Sequence, residues 1–273
     1  MMKIPFVKMS GSGNDFVIID GRGDSFIAED RKPELVKIVS HRKTGVGCDG
    51  VLLVEDSESG DFMMRYFNAD GGEVEFCGNG ARCIAYFAHH RLGLSSGVIF
   101  DSRAGMISAE VRGDDVEVLM PPAGEVRGPK SLEVGPRRME YYFVNTGVPH
   151  VVVLCEDIAN APVVQLGRMI RNHPAFQPDG TNVDFLVECD GGNADIEIRT
   201  YERGVEDETL ACGTGAVACA LVMQHRERFD WPIRVQVALP DVLTVSKPGR
   251  RCTLAGRVRE IFTGEFEFDG GAN

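Results

Sequence analysis

One short word occurs twice in this chain. Cys77-Gly78-Asn79-Gly80-Ala81 and Cys212-Gly213-Thr214-Gly215-Ala216 each stand where a β-rich run gives way to an apolar run of helical period. The likeness continues upstream. Arg65-Tyr66-Phe67 parallels Arg199-Thr200-Tyr201, and Asp49 to Glu55 (DGVLLVE) resembles Asn182 to Glu188 (NVDFLVE). Gly13-Asn14 sits where Gly147-Val148 sits, each just before a strand. Several similarities in the same order point to duplication. They confine the chain to folds with two similar halves, in which two equivalent helix starts are expected to face each other across a cleft.

Between these words the pattern is mostly strand. Phe16–Asp20, Val51–Glu55, Phe62–Asn68 and Val98–Asp101 are rich in β-formers and bounded by Gly, Asp or Asn, and residues 105–120 read as a hairpin. The second half offers Tyr142–Asn145, Val151–Leu154, Val183–Glu188, Ile196–Tyr201, Ile233–Leu239 and Leu254–Phe262. A helix is predicted from Asn79 to about Leu92, with Gly93 as its stop. A second, from Thr214 to about Gln224, is apolar all round and so belongs inside a curved sheet. Weaker helices begin at Pro33 and Pro162. The Pro/Gly-rich stretch from Pro121 to Pro129 is the expected linker.

The 273 residues carry a net charge of −12 and no basic run, which argues against nucleic acid or an anionic membrane as partner. No stretch approaches the ~20 apolar residues of a membrane span. The start lacks the apolar core of a signal peptide, so a cytoplasmic protein is expected. None of the eight cysteines forms a C-x-x-C pair, which argues against a zinc ribbon or a thioredoxin-like site. Cys83, Cys155, Cys189, Cys219 and Cys252 read as small buried hydrophobes, with Cys48 left open.

Cys77 and Cys212 read differently. Each precedes Gly-x-Gly and a helix, where unpaired N–H groups and the positive helix end favour a thiolate. Inverting an amino-acid α-carbon without a cofactor needs one base on each face, and two thiols of near-neutral pKa meet that need. The same N–H groups can hold a substrate carboxylate, more strongly as it becomes an enolate. Gly45-Val46-Gly47-Cys48-Asp49-Gly50 matches the dinucleotide fingerprint letter for letter but precedes a strand, so it is set aside. By spacing alone His150 is a strand histidine, Glu202-Arg203 a surface charge pair, and Asn14, Asn68 and Asn182 turn residues.

Phe67-Asn68-Ala69-Asp70-Gly71 followed by Phe76-Cys77-Gly78-Asn79-Gly80-Ala81-Arg82-Cys83 resembles the first signature of the diaminopimelate epimerase family. Tyr201-Glu202-Arg203-Gly204 followed by Thr209-Leu210-Ala211-Cys212-Gly213-Thr214-Gly215-Ala216 resembles the second, and Ser10-Gly11-Ser12-Gly13-Asn14-Asp15-Phe16 the N-terminal motif. The resemblance runs from Lys8 to the strand near Phe262. It implies an α+β fold of two pseudo-symmetric domains, each a curved, mostly antiparallel sheet wrapped around a central helix. The first domain would be 1–120 plus 255–273 and carry Cys77; the second would be 121–254 and carry Cys212. The implied reaction is LL- to meso-2,6-diaminopimelate by a two-cysteine proton transfer, serving lysine and peptidoglycan synthesis. It would use no pyridoxal phosphate, metal or nucleotide, and a homodimer is left open.

Carried over by residue, the resemblance makes Cys77 and Cys212 the acid/base pair. It assigns the reacting carboxylate to Gly78, Asn79, Gly213 and Thr214. Asn14, Asn68, Asn182, Glu202 and Arg203 would grip the rest of the substrate, and His150 and Glu202 would tune the thiols or the substrate amine. Val148 stands where many members have Asn, and Gly50 where some have Gln. The rival readings are another cofactor-free racemase of the proline type, a cysteine hydrolase using Cys212 with His150, and a silent binding protein that kept the cleft.

Overall fold

The computed structural model describes residues 2–23, 27–239 and 241–269. They form two compact units, Met1–Val118 with Arg257–Asn273, and Leu119–Gly256.

The first unit contains β1 (Met2–Gly11), β2 (Asn14–Asp20), α1 (Lys32–Ser40), β3 (Gly50–Glu55), β4 (Met63–Asn68), β5 (Glu73–Val74), α2 (Gly78–Leu92), β6 (Gly97–Ser102), β7 (Gly105–Arg112) and β8 (Asp115–Leu119). The second contains β9 (Arg127–Val134), β10 (Arg137–Asn145), β11 (Pro149–Leu154), α3 (Val163–Arg171), β12 (Asn182–Glu188), β13 (Ile196–Glu202), β14 (Asp207–Thr209), α4 (Gly213–His225), β15 (Ile233–Gln236) and β16 (Val242–Ser246). β17 (Thr253–Phe268) starts against β16 and then pairs with β1 over most of its length.

The same pairing scheme is written twice. In the first unit β1–β2 is antiparallel, β2–β3 parallel, β3–β4 and β4–β5 antiparallel, β4–β6 parallel and β6–β7 antiparallel. In the second the identical sequence runs β10–β11, β11–β12, β12–β13, β13–β14, β13–β15 and β15–β16. This is the α+β architecture expected, with a mixed, mostly antiparallel sheet wrapped around a helix. α2 packs against β1, β2, β3, β4, β6 and β7, and α4 against β10, β11, β12, β13, β15 and β16.

Helix composition follows from that placement. α4 is buried from Gly215 to Met223, so no residue there can be charged without a large desolvation cost. α2 buries Gly78 to Ala85 and then Phe87 and Ala88, and its C-terminal turn emerges with His89, His90 and Arg91 at the negative end of the helix dipole. It stops at Gly93, whose φ of 73° is the left-handed conformation glycine adopts without strain.

Two local expectations are corrected. The Pro/Gly-rich stretch does not run on as linker to Pro129, because Arg127 to Val134 pairs with β10. Proline is tolerated there because a strand paired on one side can lack a donor. The run Ile233–Leu239 is shorter as a strand and is followed by β16, which composition did not show.

Candidate active site

Both repeated cysteines cap a buried helix. Cys77 is the N-cap of α2 in extended conformation, and its Sγ accepts from the Gly80 N–H at 3.5 Å. Cys212 is the N-cap of α4, with Sγ 3.4 Å from the Thr214 hydroxyl. Cys77 is half-buried, whereas Cys212 is 7% exposed.

Around Cys77, the residues Gly78 and Asn79 are buried in the first turn of α2. Arg82 Nη2 donates to Asn79 Oδ1 at 3.0 Å, Asn79 Nδ2 to Asn14 Oδ1 at 2.6 Å, and Asn14 Nδ2 to Asp49 Oδ2 at 3.3 Å. In this chain the carbonyl oxygen of each asparagine accepts from its neighbour and the amide N–H donates onward. Asn68, at the end of β4, points to solvent and has no place in this chain.

Around Cys212, Gly213 and Thr214 open α4. His150 is fully buried on β11, its Nε2 3.0 Å from Thr214 Oγ1 and its Nδ1 2.7 Å from Asp184 Oδ2. Thr200 donates to the other Asp184 oxygen at 2.7 Å. Asn182 donates to the Pro149 carbonyl at 3.1 Å and accepts from the Arg203 N–H at 2.8 Å, locking the end of β13 to the start of β12. Arg203 donates to the Asp179 carbonyl at 3.0 Å. Burial raises the proton affinity of Glu202, at the end of β13, and the nearby Asp184 carboxylate adds to it.

The thiolate expected at a helix start is reversed at Cys212. Burial pushes its pKa well up, Glu202 and Asp184 push it further, and its contacts with Thr214 and Gly215 oppose without prevailing. The magnitudes make the order sensible: a helix terminus contributes at most about 2 kcal/mol, whereas full burial shifts a pKa by up to about 3–5 units.

Sequence reasoning missed Asp184, Thr200, Arg82 and Asp49. The signal for Asp184 was an acid inside the apolar run Val183-Asp184-Phe185. Among the described residues no cluster of three or more His, Cys, Asp or Glu could hold a metal ion, and no helix is long and apolar enough to cross a membrane.

The family profile described as Diaminopimelate epimerase matches residues 6–126 and 142–244. A diaminopimelate epimerase of Aquifex aeolicus is 43% identical over 271 residues, 95% of this chain and 96% of that one. One of Chlorobaculum tepidum is 43% identical over 263 residues, covering 94% and 98%. Among solved structures, a phenazine biosynthesis protein of the PhzF family from Enterococcus faecalis superposes with a TM-score of 0.76 at 14% identity, covering 98% and 100%. A probable proline racemase from Agrobacterium radiobacter gives 0.73 at 16%, covering 97% and 93%, and both show the shared fold. The chain is an isomerase and belongs to the diaminopimelate epimerase family.

Proposed function

We propose that the chain interconverts LL- and meso-2,6-diaminopimelate without a cofactor, by proton transfer between Cys77 and Cys212. The observation that carries this reading is the repeated helix cap: each unit presents one thiol at the N-terminus of its buried helix, beside N–H groups with no partner inside the helix. One thiol takes the α-proton while the other delivers a proton to the opposite face. The N–H groups of Gly78, Asn79, Gly213 and Thr214 hold the reacting carboxylate as negative charge grows on it. Asn14, Asn68, Asn182 and Arg203 help grip the substrate, including its distal head, and His150 and Glu202 tune the thiols or the substrate amine. Such a reaction serves lysine and peptidoglycan synthesis in the cytoplasm.

The relatives named for this activity at 43% identity support the substrate. The hydrolase reading is weakened by Thr214, which stands between His150 and the Cys212 sulfur. The test is incubation with LL-diaminopimelate in deuterated water followed by chiral analysis. The expected result is meso product with solvent deuterium at one α-carbon, and loss of that product in both Cys77→Ala and Cys212→Ala. Near-normal turnover in either variant, or turnover of proline instead, would remove the reading.

A further inference from the structure

The duplicated register allows the surroundings of the two thiols to be compared position by position. In the first unit Phe16 is opposite Gly50 on the parallel neighbour, and Leu52 is opposite Tyr66. In the second His150 is opposite Asn182, and Asp184 is opposite Thr200. The equivalent trios are therefore Phe16, Leu52 and Tyr66 behind Cys77, and His150, Asp184 and Thr200 behind Cys212. The helix-start glycines agree. A Cβ on Gly80 would come within 3.2 Å of Leu52, and one on Gly215 within 2.4 Å of Asp184 Oδ1.

The first trio is apolar apart from the tyrosine hydroxyl. Phe16, Leu52 and Tyr66 lie in one core cluster on which Cys77 packs, with the Phe16 and Tyr66 rings edge to face at 6.0 Å. The second is a buried polar network with direction. Asp184 is a carboxylate and accepts only, so it takes the Nδ1 proton of His150. Nε2 is then an acceptor and draws the Thr214 hydroxyl proton towards itself. Thr214 is left with a lone pair for Cys212, whose S–H becomes the donor.

We infer that Asp184 is a positioning residue: acting through His150 and Thr214, it holds the Cys212 proton on sulfur and makes the two pseudo-equivalent thiols unequal. The inference rests on the two-thiol reading above. The groups bearing on Cys212 are His150 on β11, Asp184 on β12, Glu202 on β13 and Cys219 one helical turn further along α4. Glu202 opposes loss of the proton as Asp184 does, so removing either charge acts in one direction. Cys212 is thus the thiol that carries a proton in the resting enzyme.

The test is alkylation of the full-length enzyme by iodoacetamide across pH 6–11, with peptide mapping to follow Cys77 and Cys212 separately. The pH at half-maximal rate is read, because accessibility changes the amplitude and not that midpoint. In the wild type the Cys77 midpoint is expected below that of Cys212. Asp184→Asn, nearly isosteric, is expected to lower the Cys212 midpoint by about one unit or more while Cys77 stays put. Asp184→Leu, which places in the second unit the residue that Leu52 supplies in the first, is expected to do the same. A purely structural role would change melting temperature without moving the midpoint. A wild-type Cys212 midpoint below that of Cys77, or a variant midpoint that stays or rises, overturns the inference; a rise would mean that the chain carries an imidazolium–thiolate pair. Failure of the two-thiol reading is a different result: meso product still forming with Cys212→Ala.

Discussion

At the residue scale the two helix-start glycines invite a paired measurement. A methyl group at Gly215 would meet Asp184 Oδ1 at 2.4 Å, and that carboxylate is held by His150 and Thr200 and cannot swing away. At Gly80 the neighbour is a Leu52 methyl at 3.2 Å, which can yield by a few tenths of an ångström. Gly215→Ala is therefore expected to cost about 1–3 kcal/mol through overpacking and to lose most activity. Gly80→Ala should lie within about 1 kcal/mol of wild type, because alanine's helical preference offsets the crowding. Urea melts of both variants check this, and equal costs would refute it. A second pair concerns the two arginines that flank Thr200, Tyr201 and Glu202. Arg199 grips Glu208 through two bonds, at 2.6 and 2.7 Å, and donates to the Ile158 carbonyl. Arg203 makes a single backbone contact through Nη1, leaving donors for substrate. Arg203→Lys should raise KM severalfold with little change in Tm, since an ammonium cannot grip a carboxylate bidentately. Arg199→Lys should lower Tm and leave KM alone. Steady-state kinetics beside thermal melts separates the two, and an unchanged KM in Arg203→Lys would withdraw its substrate role.

At the scale of elements, what could be read in advance was what periodicity and glycine encode. The helix read from Asn79 to Leu92 spans Gly78–Leu92, and the all-apolar run after Thr214 is a helix packed by strands of its own unit. The edge strand holding Pro129 and the short β16 were hidden, because neither has a pattern that survives its proline or its length. The misreading with most consequence was a slip of one residue. Aligning Asp49–Glu55 with Asn182–Glu188 sets Asp184 against Val51, which belongs to the cluster under α1. The observed register sets it against Leu52, on the face towards α2. A one-residue slip turns every side chain to the opposite face, so that alignment puts the acid behind Cys212 on the face away from the helix. The thiols and the two asparagines beside α2 were legible through their motifs. The buried network joining His150 to Asp184 was not, because hydrogen bonds between strands leave no local pattern. The all-round burial of α4 carries its own expectation. Ala218→Leu adds three carbons where the chain is fully buried and should cost about 1–3 kcal/mol, whereas Gln224→Ala at the exposed end should be close to neutral. Equal melting temperatures for the two variants would show that the sheet does not enclose the helix.

At the scale of the whole molecule, the buried thiols tie stability to alkaline pH. Burial raises the pKa of Cys83 to about 12 and pushes Cys212 and Cys219 well above the ordinary thiol range. Cys48, Cys155, Cys189 and Cys252 are raised as well, again chiefly by burial. Unfolding returns all of them to the ordinary value of about 8.5. The folded chain therefore binds more protons than the unfolded chain above that pH, and stability must fall as pH rises. The stabilisation is complete below about pH 8 and is lost towards the folded-state values. Each thiol that is ionised only when unfolded contributes about 1.4 kcal/mol per pH unit to the slope. Urea midpoints between pH 7.5 and 10.5 should decline steadily in the presence of reductant. Cys219→Ala supplies the internal control: it should be less stable than wild type at pH 7.5 because a buried sulfur is lost, yet decline less steeply with pH. A wild-type midpoint that holds level to pH 10.5, or a Cys219→Ala slope as steep as the parent's, would mean that the thiols titrate alike in both states and that burial is not what holds their protons.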